Sequence, residues 1–169
     1  MKTLLKMLLI VLLVQSCQEK AETSSINEVN WEKRFIEPKS KDSLTKGTTY
    51  LSVYSQIYSQ TESRTHDLTA TVSLRNTNAK DTIYINKAEY FDTHGNPIRT
   101  YFRKTIFIPP MATAEIIIDE HDREGGTGAN FIFEWMIKPD SNEPFFEAVM
   151  ISTSGQQGLS FKTEGIRLK

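Results

Sequence analysis

The chain has 169 residues, 20 of them basic and 21 acidic, with three histidines and a single cysteine. Charges of both signs are interspersed along it, which argues against the clustered basic face of a nucleic-acid binder, and one cysteine excludes an intrachain disulfide. Stability must then come from a packed core, and about 120 ordered residues suffice for one domain.

Lys2 and Lys6 flank the start of an unbroken apolar run over residues 7–14, and Ser16 supplies a small residue before a cut site, so residues 1–16 read as a secretory signal peptide. The run is well short of the roughly 20 apolar residues that a spanning helix needs. Val14-Gln15-Ser16-Cys17 resembles the bacterial lipobox, in which the cysteine sulfur is acylated and becomes the first mature residue. Val and Gln stand where Leu and a small residue are commoner. A free thiol left in an oxidising compartment would be a liability, so Cys17 is expected to carry lipid. Each buried methylene contributes about 0.8 kcal/mol, and the several chains implied by the resemblance would give stable attachment to a membrane without crossing it. Gln18 follows the cysteine where an Asp would resemble an inner-membrane retention signal, which points to the outer membrane, facing the periplasm or the cell surface.

Residues 17–47 are rich in Lys, Glu, Ser and Thr and read as the lipidated cysteine and a flexible tether, long enough to hold a domain on the order of 30 Å from the lipid. Residues 31–36, which include Trp31, Phe35 and Ile36, could instead dock on the domain as a short helix or an added strand. From Tyr50 onward the dominant period is two. Leu51, Val53 and Ile57 share one side of a first strand, with Tyr50, Tyr54 and Tyr58 on the other. In the next, Leu68, Ala70, Val72 and Leu74 alternate with Thr69, Thr71, Ser73 and Arg75.

Further strands are expected over residues 82–91, 98–108 with a break at Arg103-Lys104, 113–119, 130–138, 145–152 and 159–163. In the first of these Ile83 and Ile85 fall out of phase with Ala88 and Tyr90, which predicts a bulge near Asn86-Lys87. Phe131, Phe133, Trp135 and Ile137 share a face and mark the central core strand, packed by Phe145, Val149 and Ile151 or by Ala148 and Met150. Turn-forming residues separate the strands, and no strong helical pattern follows the tether. Parallel strands would need crossover helices, so the expected fold is all-β: residues 48–169 as a single antiparallel β-sandwich, immunoglobulin-like, with a small β-barrel as the alternative.

Two glycine-bearing segments, residues 125–130 and 154–158, are the candidate binding loops, with Gly126, Gly128, Asn130, Gln156 and Gln157 as their named positions. Neither is a phosphate loop, since the first feeds a strand and lacks the P-loop lysine, and Phe131 stands where a dinucleotide fingerprint would need glycine. Residues 50–58, 68–76, 90–92, 125–135 and 147–161, with Gly-Ala-Asn-Phe and Gly-Gln-Gln-Gly at their centre, resemble the uncharacterised bacterial domain-of-unknown-function family 3124. That resemblance covers roughly residues 50–167. It implies an exported or lipid-anchored single-domain protein and carries no activity, substrate or cofactor with it.

The nucleophile inventory is poor: Cys17 is expected to be acylated, there is no Gly-x-Ser-x-Gly elbow, and only His66, His94 and His121 could act as bases. His66-Asp67 and His121-Asp122 are neighbours whose side chains diverge on a strand, so they do not read as dyads. Asp119, Asp122 and Glu124, with Glu120 and His121, form the densest acidic cluster; it lacks the EF-hand spacing and reads as a solvated hairpin tip, with calcium the one metal to test. No cofactor is called for. The expected function is a non-enzymatic binding or structural module of the cell envelope, held by its lipid and meeting an envelope protein or glycan. The alternative is an envelope hydrolase or metal-dependent enzyme that uses the acidic cluster with a histidine.

Overall fold

The computed structural model describes residues 30–38, 43–153 and 158–169; residues 1–16, expected to be a signal peptide, and Cys17, Gln156 and Gln157 lie outside the described residues. Among the described residues twelve strands follow in chain order: β1 (Thr45–Ser52), β2 (Gln56–Ser59), β3 (Thr61–Asp67), β4 (Thr69–Arg75), β5 (Ile83–Phe91), β6 (Pro97–Thr100), β7 (Ile106–Ile108), β8 (Thr113–Ile118), β9 (Asn130–Ile137), β10 (Phe145–Ser152), β11 (Leu159–Glu164) and β12 (Ile166–Leu168). All pairings are antiparallel. One sheet runs β12-β1-β9-β5-β6, with β7 also on β5; the other runs β11-β10-β4-β8; β2 and β3 form a separate hairpin. The architecture is a β-sandwich, and the free edges at β8 and β11 exclude the closed-barrel alternative.

Taking β1, β4, β5, β8, β9 and β10 as strands A, B, C, E, F and G, the B–E and C–F pairings of an immunoglobulin domain are present in β4–β8 and β5–β9. Strands A and G have exchanged sheets, since β1 pairs with β9 and β10 with β4.

The period-two pattern becomes the core. Leu68, Ala70, Val72 and Leu74 are all fully buried, as are Phe131 and Phe133, with Trp135 and Ile137 nearly so. The two sheets meet through aromatic rings: Tyr90 stacks on Phe131 at 4.8 Å between centroids, Phe131 on Phe133 at 5.3 Å, and Phe133 on Phe146 of the opposite sheet at 4.3 Å. The register shift between Ile85 and Lys87 is the expected bulge, and it turns Ile83, Ile85, Ala88 and Tyr90 to the same buried side. On β10 the inward set is Phe146, Ala148 and Met150; Val149 and Ile151 stay exposed. The break at Arg103-Lys104 separates β6 from β7.

Three features depart from the sequence expectation. The first strand is not continuous over residues 50–58: β1 begins at Thr45 and ends at Ser52, and β2 starts afresh at Gln56. β3, of sequence Thr-Glu-Ser-Arg-Thr-His-Asp, escapes the alternation test because neither of its faces is buried. Residues 31–36 do not lie in a free tether: a 3-10 turn spans Trp31–Arg34, Trp31 packs on Phe102 at 5.0 Å, and Phe35 bridges to Ile106.

Candidate functional site

Several chain segments meet at one end of the sandwich. They are residues 53–55 with the β2–β3 hairpin, the turn over residues 92–96, the long connection 119–129 from β8 to β9, and the β10–β11 hairpin, whose strand ends Ser152 and Leu159 finish near Thr69. The candidate positions Gly126 and Gly128 lie in the connection 119–129, and they act as its fasteners. The Gly126 carbonyl accepts from the Ser55 and Gln56 amides at 3.2 and 3.1 Å and from the Ser55 hydroxyl at 3.2 Å. The Gly125 carbonyl accepts from the Thr93 amide and hydroxyl at 3.1 and 3.0 Å, and the Gly128 amide donates to Thr93 Oγ1 at 2.9 Å. Val53 donates to the Ala129 carbonyl, completing the attachment of this segment to the start of the hairpin.

Glycine is needed here for geometry. Gly126 has φ +70°, and a Cβ on Gly125 would stand 1.9 Å from the Tyr90 hydroxyl oxygen. Tyr90 is fully buried and its hydroxyl makes no hydrogen bond of good geometry, although Ser55 is close by. Burial, reinforced by the charge of Asp122, pushes this phenol well above its ordinary value, so Tyr90 packs as a protonated wall beneath the loop. Asn130, by contrast, opens β9 on the outer face of the larger sheet, opposite Ser52 and Phe91, and is half-buried.

The acidic cluster is pulled apart. Asp122 is not on a solvated tip: its side chain is 1% exposed and pairs with Arg99 on β6 at 2.8 Å. A buried carboxylate is tolerated only with a partner charge, which Arg99 supplies to Asp122, and Arg99 also reaches the exposed carboxylate of Glu124 at 2.8 Å. Asp119 turns instead to His121, accepting from its amide and meeting its Nδ1 at 2.9 Å. The Asp119 hydrogen bond and charge raise the His121 imidazole above its ordinary value while it stays solvated. Asp67 receives hydrogen bonds from Arg123 and Gln56; burial pushes its carboxyl up, and these donors outweigh that and bring it below the usual range. Neither neighbour dipeptide forms a dyad. Among the described residues no three of the His, Cys, Asp and Glu side chains come together as a metal site.

Reasoning from the sequence missed the fastening residues Tyr90, Thr93, Arg99 and Arg123, because each acts through a partner from 23 to 56 positions away, as Arg99–Asp122 and Arg123–Asp67 illustrate. What the end presents outward is the β2–β3 hairpin, which among the described residues pairs with no other strand and carries Tyr58 at 61% exposure. The turn at residues 92–96 lies beside it, organised by Asp92, which accepts from the His94 and Asn96 amides at 2.8 Å each.

A family model described as "Protein of unknown function (DUF3124)" matches residues 46–168. No curated protein matches the sequence. A solved chain described as "Crystal Structure of Thermotoga maritima 1070" is similar over 71% of this chain and 92% of its own, with 9% sequence identity and a TM-score of 0.45.

Proposed function

We propose that this chain, which belongs to the DUF3124 family, is a lipid-anchored protein of the cell envelope whose sandwich works as a non-enzymatic binding module. The address rests on the apolar run and on Val14-Gln15-Ser16-Cys17, with the acylated Cys17 holding the protein at the outer membrane. The binding end is the one closed by residues 119–129. The observation that carries this reading is the β2–β3 hairpin: a two-stranded ribbon is marginal by itself, yet here its base is fixed by three bonds to the Gly126 carbonyl and by the Arg123–Asp67 pair. A rigidly mounted ribbon with an exposed Tyr58 and two unpaired strand edges offers a partner a preorganised surface. The partner class is an envelope protein or glycan.

Arg64 is exposed on β3 of the same hairpin, so the test is chemical crosslinking in the native cells, with capture compared between the wild type and a Tyr58→Ala, Arg64→Ala variant of unchanged thermal midpoint. A capture lost in the variant locates the surface on the hairpin; one that persists at full yield removes the hairpin from the function. The anchor is tested separately: Cys17→Ser should leave the detergent phase, and a variant that partitions like the wild type would sink the lipid claim.

A further inference from the structure

The amino-terminal segment closes against the edge of the larger sheet and carries a distinctive set of charges. Trp31 packs on Phe102, Phe35 bridges to Ile106, and the Ile36 amide donates to the Thr105 carbonyl at 3.0 Å. Lys104 lies over the Phe35 ring, 5.5 Å from its centroid. Residues 35–37 and 103–105 thereby line one concavity, while Asn30, Lys33 and Arg34 line the neighbouring one beside β7 and β8. Elsewhere Arg75, Arg99, Arg123 and Lys138 each hold a carboxylate, and cations that hold none among the described residues, such as Lys46, Arg64 and Lys80, stand singly on separate elements. Lys33, Arg34, Arg103 and Lys104 hold none among the described residues, and Ile36 stands between them 39% exposed.

We infer that this face, made by residues 31–37 and the 101–105 loop, lies on a bilayer surface bearing anionic headgroups. The inference rests on the lipid-anchor reading. Two observations select that occupant. The first is reach: the docked segment begins at Asn30, so only twelve residues separate it from Cys17, a span of at most about 45 Å however they run, and the segment that enters the domain is the part of the fold nearest the lipid along the chain. The second is charge: the four cations outnumber the acids on the same surface, Glu32, Glu37 and Glu115, the last of which lines the concavity of Lys33 and Arg34, and each cation close to an anionic bilayer strengthens attachment about fivefold, an effect confined to roughly a Debye length. Ile36 supplies an apolar side chain at the centre of the contact, and the stems of Lys33 and Arg34 extend it. The domain is thus held against the membrane by its β6–β7 side instead of standing off on a tether of thirty residues.

The acylated full chain, reconstituted in vesicles of phosphatidylcholine alone or with about 30% phosphatidylglycerol, should show Lys33 and Lys104 reacting with an amine reagent about threefold more slowly on the anionic vesicles. The exposed Lys46 and Lys80 are the internal references and should not change. An Arg103→Glu, Lys104→Glu variant with an unchanged thermal midpoint should stay on the vesicles through its acyl chains while Lys33 loses its protection. Uniform labelling of an attached wild-type protein overturns the docking and leaves the anchor standing. A wild-type protein that does not attach to either vesicle overturns the anchor, and the docking with it.

Discussion

At one end of the sandwich the loops are joined by buried neutral amides, with an exposed Lys138–Asp81 pair beside them, and at the other by a buried ion pair and glycine carbonyls. The amide end centres on Asn76 and Asn78, both almost wholly buried. Asn76 Nδ2 donates to the carbonyls of Asp81 and Ile108 at 2.8 and 2.9 Å, its Oδ1 accepts from the backbone and side-chain nitrogens of Asn78 at 2.9 Å each, and Asn78 in turn bonds both ways with the backbone of Asn142. Two side chains thus tie together the loops after β4, β7 and β9 with groups that keep their protons at every ordinary pH. The opposite end is fixed by Arg99–Asp122, Arg99–Glu124, Arg123–Asp67 and the carbonyls of Gly125 and Gly126, and it mounts a ribbon that projects into solvent. The difference separates a closure from a mount: the first needs only to be satisfied, the second must hold something at a fixed angle.

The largest test of this contrast is Arg99→Met. It strands the buried Asp122 carboxylate without its cation, and the expected loss is about 3–5 kcal/mol in urea unfolding. An Arg99→Met, Asp122→Leu double variant should recover a large part of that loss, and a double variant no better than the single would mean that the pair is not what closes this end. Asn76→Ala should cost about 2–3 kcal/mol, because it orphans the Asn78 donors and two carbonyls together, and the cost should be the same at pH 5 and pH 8. A pH-dependent cost would show that charged neighbours, and not the amides, join those loops.

Gly125→Ala should destabilise by about 1–3 kcal/mol through its collision with the Tyr90 hydroxyl. Combining it with Tyr90→Phe should cost less than the two changes added, and strict additivity would disconnect loop and wall. Tyr58→Ala should move stability by no more than about 0.5 kcal/mol, since the side chain is exposed, while abolishing partner capture. The smallest effect is in pH. His121 titrates higher in the fold than its ordinary value, so the contribution of the Asp119–His121 pair is complete below about 6.5 and fades as pH rises through the raised folded value. It should disappear from the stability–pH curve in His121→Gln, and a curve that is identical in the variant would show that the pair contributes nothing to folding.

Much of the sandwich was legible in the alternation of apolar residues. The buried face of β4, the central position of β9 and the bulge in β5 all follow from period two and its interruption, because burial on one face constrains every second residue. The hairpin was not legible for the same reason: with both faces of β3 solvated, no residue type is demanded at any phase. β12 is three exposed residues long, too short to show a period. At the candidate site, Gly126 and Gly128 stood out as glycines in a loop, and the structure gives them fastening roles. Arg99, Thr93 and Tyr90 carried no local signal that they converge on that loop.

The chain by itself determined the composition of the core and the antiparallel class, since these depend on residue type in local order and on the physics of burial. Pairing order, the exchange of the A and G strands between sheets, the separation of the acidic cluster into Arg99-bound and His121-bound halves, and the docking of residues 31–36 were decided only by tertiary structure. They depend on which distant partner neutralises a charge or covers an apolar edge, and that is a property of space and not of sequence order.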